Sequence, residues 1–209
     1  MVQREETILI GYSGHGKVVA EAVIACQKKV AGYIDIEEKT DNPYGFPYLG
    51  GDDKFDELIE KGFKQFVLGV GDNKIRNRIA KRVVDLGGEC ITIIHPDAKV
   101  SHHVAIGDGT FIARGACINP FVDIGKYCIV NTNATIDHDC SIEEAAHIAP
   151  ASAIAGNTKI GKQAFIGLNA TVIQGLTIGV DVIVGAGTVV IKDIKPGIRV
   201  VGNPFRELC

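Results

Sequence analysis

The chain has 209 residues, with 22 Lys and Arg against 25 Asp and Glu and a formal net charge of −3. That length allows one large domain or two modest ones, each able to bury a core. No basic block marks a nucleic-acid surface, and no apolar run approaches the roughly 18 residues that span a bilayer. The opening MVQREETILIGYSGHG runs into a strand-like pattern instead of a signal peptide. The six cysteines form no C-x-x-C pair, so they are read as reduced thiols of a cytoplasmic protein.

Residues 1–90 alternate strand and helix patterns. TILIG (7–11) reads as a strand, GYSGHG as a turn and KVVAEAVIACQKK (17–29) as a helix. VAGYID (30–35) and FKQFVLGVG (63–71) are the next strands. KIRNRIAKRVVDLGG (74–88) carries helical spacing at Ile75, Ile79 and Val83 and stops at Gly87-Gly88; ECITIIH (89–95) is a further strand. Strands alternating with helices predict a small parallel sheet with crossover helices.

From Val100 the period becomes six. Sixteen aliphatic residues follow one another at that interval without a break, from Val100, Ile106 and Ile112 to Val184 and Val190. A small or branched residue stands two positions before nearly every one, and Gly follows at 107, 125, 161, 167, 179 and 185. A helix cannot use a period of six. A parallel β-helix can: each hexad makes one flat side with its aliphatic residue inward, and three sides make a coil of eighteen residues. Sixteen hexads predict about five coils.

With both halves in view, the chain resembles the PglD/NeuD-like sugar acyltransferases. The motifs that carry this are GYSGHG (11–16), YID (33–35), GVGDNKIR (69–76), IHPDA (94–98), NTNATIDHDC (131–140) and VVGNP (200–204). The resemblance implies a Rossmann-like nucleotide-sugar domain over 1–92. A left-handed parallel β-helix that binds acetyl-CoA and carries the catalysis would fill 93–209. It also implies a cytoplasmic homotrimer with cofactor clefts between adjacent β-helices. The expected reaction is acetyl transfer from acetyl-CoA to the C4 amine of a UDP-linked amino-dideoxy sugar in bacterial glycan synthesis. Two alternatives stand beside it: an O-acetyltransferase acting on sialic acid or another sugar hydroxyl, and a nucleotide-sugar-binding scaffold without catalysis.

The N-terminal motifs read in two ways. GYSGHG lacks G-x-G-x-x-G spacing, so on pattern alone it is equally a structural turn or a phosphate site. After a strand and before a helix, its N–H groups would face an anion. By resemblance, Ser13, Gly14 and His15 approach the nucleotide-sugar phosphates, and Asp35 lies where it would meet uracil or ribose. Gly71, Asp72, Asn73 and Arg76 would line the same crevice; their plain reading is an N-cap and a helix surface.

His138 stands two residues after the inward Ile136, so it points outward, and one coil onward lies Gly156. An imidazole stacked beside a glycine N–H is a workable pair of base and oxyanion donor. By resemblance, His138 takes the proton of the attacking amine and Asp139 orients the ring. Asp139 is shorter than the Glu usual in the family, and Asp137 is the other possible partner. His147 matches a family position near the acetyl group. Gly156, Gly167, Gly185, Ala186 and Pro204 fall on the strip that resembles the pantetheine contact, although Phe205 replaces the family's usual Ala. No metal site is expected: His102 and His138 lie two coils apart, about 10 Å at ~4.8 Å per coil, too far to share one zinc.

Overall fold

The computed structural model describes residues 4–208; Cys209, the last of the cysteines read above as thiols, lies outside them. The first apolar run forms β1 (Arg4–Ile10), followed by α1 (Gly14–Ala25), β2 (Val30–Ile34), α2 (Phe55–Glu60), β3 (Phe63–Leu68), α3 (Asn73–Asp85) and β4 (Glu89–Cys90). The four strands are parallel in the order β2-β1-β3-β4. Alternation along β1 divides its side chains between two layers. Ile8 and Ile10 pack with Phe66, Ile79 and Val83, while Leu9 packs with Val19, Val23 and Tyr33.

Three local readings change. Helix α1 begins at Gly14, with Ser13 as its N-cap, three residues before the apolar pattern starts. Helix α2 lies in a stretch without a helical pattern long enough to read. ECITIIH is two strands, because Ile91 N–H still bonds Phe66 of the sheet whereas Ile93 N–H bonds Thr110 of the next domain. The chain changes sheets between those two residues.

Ile93–Ile94 is the first strand of a three-sided parallel β-solenoid of about six turns. Its partners are offset by eighteen residues, as in Ile124↔Ile142 and Ile136↔Ile154. The aliphatic residue of each hexad stacks inward, and from Ile112 onward all are buried, as are the residues two positions before them except Leu176, which is partly buried. The corners need left-handed backbone, and φ near +60° recurs at Phe121, Tyr127, Asn133, Asp139, Ala145 and onward. One strand before Val100 (Ile93–Ile94) and one after Val190 (Arg199–Val201) join the sixteen hexads, which is why the solenoid reaches about six turns.

The three faces differ in their outward rows. One presents Ile93, Phe111, Ile129, His147 and Phe165. The second presents Lys99, Cys117, Thr135 and Ala153, and the third Ala105, Asp123, Ser141 and Lys159. Only the first is apolar enough to bury, and the N-terminal domain covers it: Phe111 and Ile129 share a core with Leu9, Tyr12 and Val19.

Arg76 fixes this docking. Its guanidinium is fully buried and donates to the carbonyls of Tyr127 (2.7 Å), Ala145 (2.8 Å), Gly71 (3.0 Å) and Val70 (3.2 Å), and to Asn73 Oδ1 (2.9 Å). Burial lowers its pKa to about 10, so it remains charged.

Candidate functional site

The residues singled out above fall into a crevice of the N-terminal domain and two vertices of the solenoid. The first is the crevice at the carboxyl ends of β1 and β3, where the strand order reverses and α/β sheets characteristically bind ligands. Here GYSGHG crosses the GVG turn. A Cβ on Gly16 would lie 2.1 Å from the Gly11 carbonyl oxygen and one on Gly69 2.4 Å from the same atom, so the crossing admits only hydrogen. Ser13 and Gly14 are exposed at the start of α1, where first-turn N–H groups lack intrahelical partners.

His15 lies at the inner end of this crevice, 5.8 Å from Phe111 and 6.1 Å from His147 between ring centres. Burial, with Arg76 adding to it, lowers its pKa to about 4. The same two causes, joined by His15, lower His147 to about 3. Asn131 Oδ1 accepts the Thr132 N–H, so its amide nitrogen donates to His147 Nε2 at 3.1 Å and leaves the ring proton on Nδ1. Both rings are therefore neutral near pH 7.

The carboxylate of Asp35 is already engaged. It accepts the N–H of Tyr12 (2.8 Å) and Ile36 (2.7 Å) and pairs with Lys39 (3.2 Å). It ties the first loop to the end of β2 at the edge of the crevice. Asp72 caps α3 by accepting the Ile75 N–H at 2.8 Å.

Three expected ligand contacts sit elsewhere. Arg76 and Asn73 do not line the crevice: Arg76 is consumed by carbonyls of both domains, and the Asn73 amide donates to Gln163 (2.9 Å) and Ala164 (3.1 Å) in the solenoid. His147, only 7% exposed, belongs to the covered face beneath His15 and not to an open cofactor strip. The family resemblance led to a ligand reading, yet the acceptors that Arg76 and Asn73 meet are backbone carbonyls, which no side-chain pattern advertises.

The second region is the vertex between the second and third faces, opposite the covered one. His138 projects there with 57% of its side chain exposed. Its Nδ1 is 2.7 Å from Asp139 Oδ2, a direct contact despite the short side chain, because the left-handed corner at Asp139 (φ 57) turns the carboxylate back toward the ring. The carboxylate can only accept, so Nδ1 carries the proton and Nε2 presents a lone pair. The Asp139 hydrogen bond, and then the charge of Asp137, raise the His138 pKa above its ordinary value.

Asp137 Oδ1 accepts the His138 N–H (2.9 Å) and the amide of Asn119 (2.7 Å), one coil below. These bonds hold its carboxyl below the usual range. Asn119 escaped the sequence reading, although its offset of eighteen from Asp137 was a usable signal. Gly156 lies directly over the imidazole: a Cβ there would stand 2.8 Å from both Cε1 and Nε2. Its N–H has no partner among the described residues.

Of the expected cofactor strip, Gly167 and Gly185 stack one coil apart at the next vertex. A Cβ on Gly167 would lie 2.5 Å from the Val184 carbonyl oxygen. Ala186 and Pro204 are exposed beside them, and Lys192 Nζ lies 5.4 Å over the Phe205 ring. Among the described residues no group of three or more His, Cys, Asp or Glu side chains could hold a metal ion. No helix there is long and apolar enough to cross a membrane.

An α/β domain seated on a hexapeptide solenoid, with a His–carboxylate pair at a bare vertex, defines an acyltransferase architecture. The family profile of the PglD N-terminal domain matches residues 6–83, and that of the hexapeptide repeat of succinyl-transferase matches residues 157–192. A GDP-perosamine N-acetyltransferase from Caulobacter crescentus, solved with CoA and GDP-perosamine, superimposes with a TM-score of 0.94. It is 38% identical over 98% of this chain and 97% of that one. The acetyltransferase domain of PglB from Neisseria gonorrhoeae, in complex with acetyl coenzyme A, gives 0.90 at 36% identity over 98% and 100%. A UDP-N-acetylbacillosamine N-acetyltransferase from Bacillus subtilis is 35% identical over 106 residues, 50% of this chain; the chain spans about half the length of that relative, 49%. The chain belongs to the PglD-like sugar N-acetyltransferase family.

Proposed function

We propose that the protein transfers acetyl from acetyl-CoA to the amine of a nucleotide-linked amino-dideoxy sugar, at C4 as the family resemblance implies, with His138 as general base. The observation that carries this is the His138–Asp139 pair under Gly156. Asp139 fixes the tautomer, Nε2 faces outward to take a proton, and the free Gly156 N–H stands beside the ring as donor to a developing oxyanion. The Caulobacter and Bacillus relatives act on GDP- and UDP-linked amino sugars. Acyl transfer needs no covalent intermediate here: an amine attacks a thioester directly. Burial raises Cys90 and Cys128 to about 12 and leaves those two poor nucleophiles.

The crevice around Ser13, Gly14 and Asp35 is the proposed nucleotide site, and the strip through Gly167, Gly185 and Ala186 is the proposed pantetheine site. Within one chain the crevice abuts the covered face while His138 occupies the opposite vertex. The reading therefore requires a second copy to bring its crevice to His138, in keeping with a trimer. Mixing trimers of His138→Ala with trimers of Asp35→Ala and letting subunits exchange should restore activity. No recovery despite exchange would place the whole site in one chain.

The acceptor is tested with UDP- and GDP-linked 4-amino sugars, their 4-hydroxy counterparts and free sialic acid, following CoA release and product mass. Transfer to an amine is expected. Transfer confined to the hydroxyl acceptors would replace this reading with O-acetylation, and no thiol release with any acceptor would favour a binding scaffold.

A further inference from the structure

We infer that Asp137 selects the amine acceptor by receiving its ammonium group together with His138, a role that rests on the acetyl-transfer reading above. Two carboxylates flank the imidazole, and they are not equivalent. Asp139 bonds Nδ1 and is occupied in doing so. Asp137 spends one oxygen, Oδ1, on Asn119 and the His138 N–H. Its other oxygen, Oδ2, lies 3.9 Å from His138 Nε2 and has no hydrogen-bond partner among the described residues.

A gap of 3.9 Å is too long for a direct hydrogen bond, and it suits one bridging donor. An atom about 2.9 Å from both acceptors would see them about 85° apart, which two N–H bonds of an sp³ nitrogen reach with modest bending. An ammonium or amine has two or more protons for that purpose. A hydroxyl has one, so it can satisfy Nε2 or Oδ2 but leaves the other lone pair facing it. The charge of Asp137 adds attraction for a cation that a neutral hydroxyl lacks. Asn119, reaching up from the coil below, keeps the free oxygen turned toward this space.

The acceptor enters as R–NH3⁺ and gives one proton to His138 Nε2, which passes it to solvent. The freed amine attacks the thioester carbonyl, the C–N bond forms, and the C–S bond breaks. The second nitrogen proton goes by way of His138 to the departing thiolate, leaving amide, CoA thiol and one proton. Asp137 stays ionised throughout and changes partner only when the neutral amide leaves.

The test compares wild type with Asp137→Asn, whose amide oxygen can still accept from Asn119 and the His138 N–H while the charge is gone. Two quantities are read: KM for the nucleotide-linked 4-amino sugar, and the inhibition constant of its 4-hydroxy counterpart as a neutral competitor. KM should rise about tenfold while the inhibition constant stays within experimental error. A parallel rise in both would make Asp137 merely structural and overturn the inference, as would an unchanged KM. Asp137→Ser gives the same pair of readings if the amide variant fails to fold. A wild type that acetylates no amine overturns the parent reading, and this inference with it. Amine transfer with an indifferent Asp137→Asn overturns this inference alone.

Discussion

Gly156→Ala isolates the geometry of the base from the chemistry of its neighbours. The added Cβ would lie 2.8 Å from Cε1 and Nε2 of His138 and 3.2 Å from Nδ1. Carbon contacts relax at about 3.5–4.0 Å, so the ring must yield by about 1 Å. That displacement breaks the 2.7 Å bond to Asp139 and moves Nε2 away from its present position. A 1 Å misplacement of a reacting group costs about 10²-fold in rate. The fold should hardly notice: the imidazole is more than half exposed and can swing into solvent, and Gly156 is not among the positive-φ glycines. Steady-state kcat, followed by CoA thiol release, should fall about 100-fold with Tm within about 2 °C of wild type. A variant that keeps half its turnover would refute the stacked geometry as a catalytic requirement.

Other perturbations reach different links. Asp139→Asn removes the largest cause that raises the His138 pKa, so the acidic limb of kcat/KM should move to lower pH as its plateau drops; an unmoved limb would detach Asp139 from the base. Arg76→Met strands the buried carbonyls of Tyr127 and Ala145 and should cost about 3 kcal/mol, or about 10 °C of Tm; a normal melt would show that the domains dock without it. His15 and His147 are shifted down, to about 4 and about 3, so the unfolded chain binds protons that the folded chain refuses. Their contribution is complete above pH 6.5 and fades as pH falls toward those values. His147→Gln should therefore flatten the loss of denaturation free energy between pH 7 and 4, and an unchanged slope would contradict its buried neutral state.

The solenoid was legible because each coil repeats the same environments: an inward slot every six residues, a corner between, and direct stacking every eighteen. That register also places Gly156 over His138. The same register held more than was read from it. The residues one before each inward aliphatic on the covered face are Ile93, Phe111, Ile129, His147 and Phe165, an apolar row that marks where the N-terminal domain sits. Seen as part of that row, His147 is a residue of the covered face. Asn73 and Arg76 were harder. They follow a strand at the end where ligands bind, and only the three-dimensional meeting of α3 with the corners at 127, 145 and 163 reveals the carbonyls that claim them. Strand limits at 89–95 were obscured for a related reason, since one continuous apolar run serves two different sheets.

In the proposed reaction, His138 draws the proton from an amine that attacks acetyl-CoA. The most direct measurement is turnover of His138→Ala with a nucleotide-linked 4-amino sugar, alongside its affinity for acetyl-CoA and its oligomeric state. Turnover should fall by about 10²–10⁴ while acetyl-CoA binding and assembly remain as in wild type. A variant that keeps half its turnover would remove His138 from the mechanism.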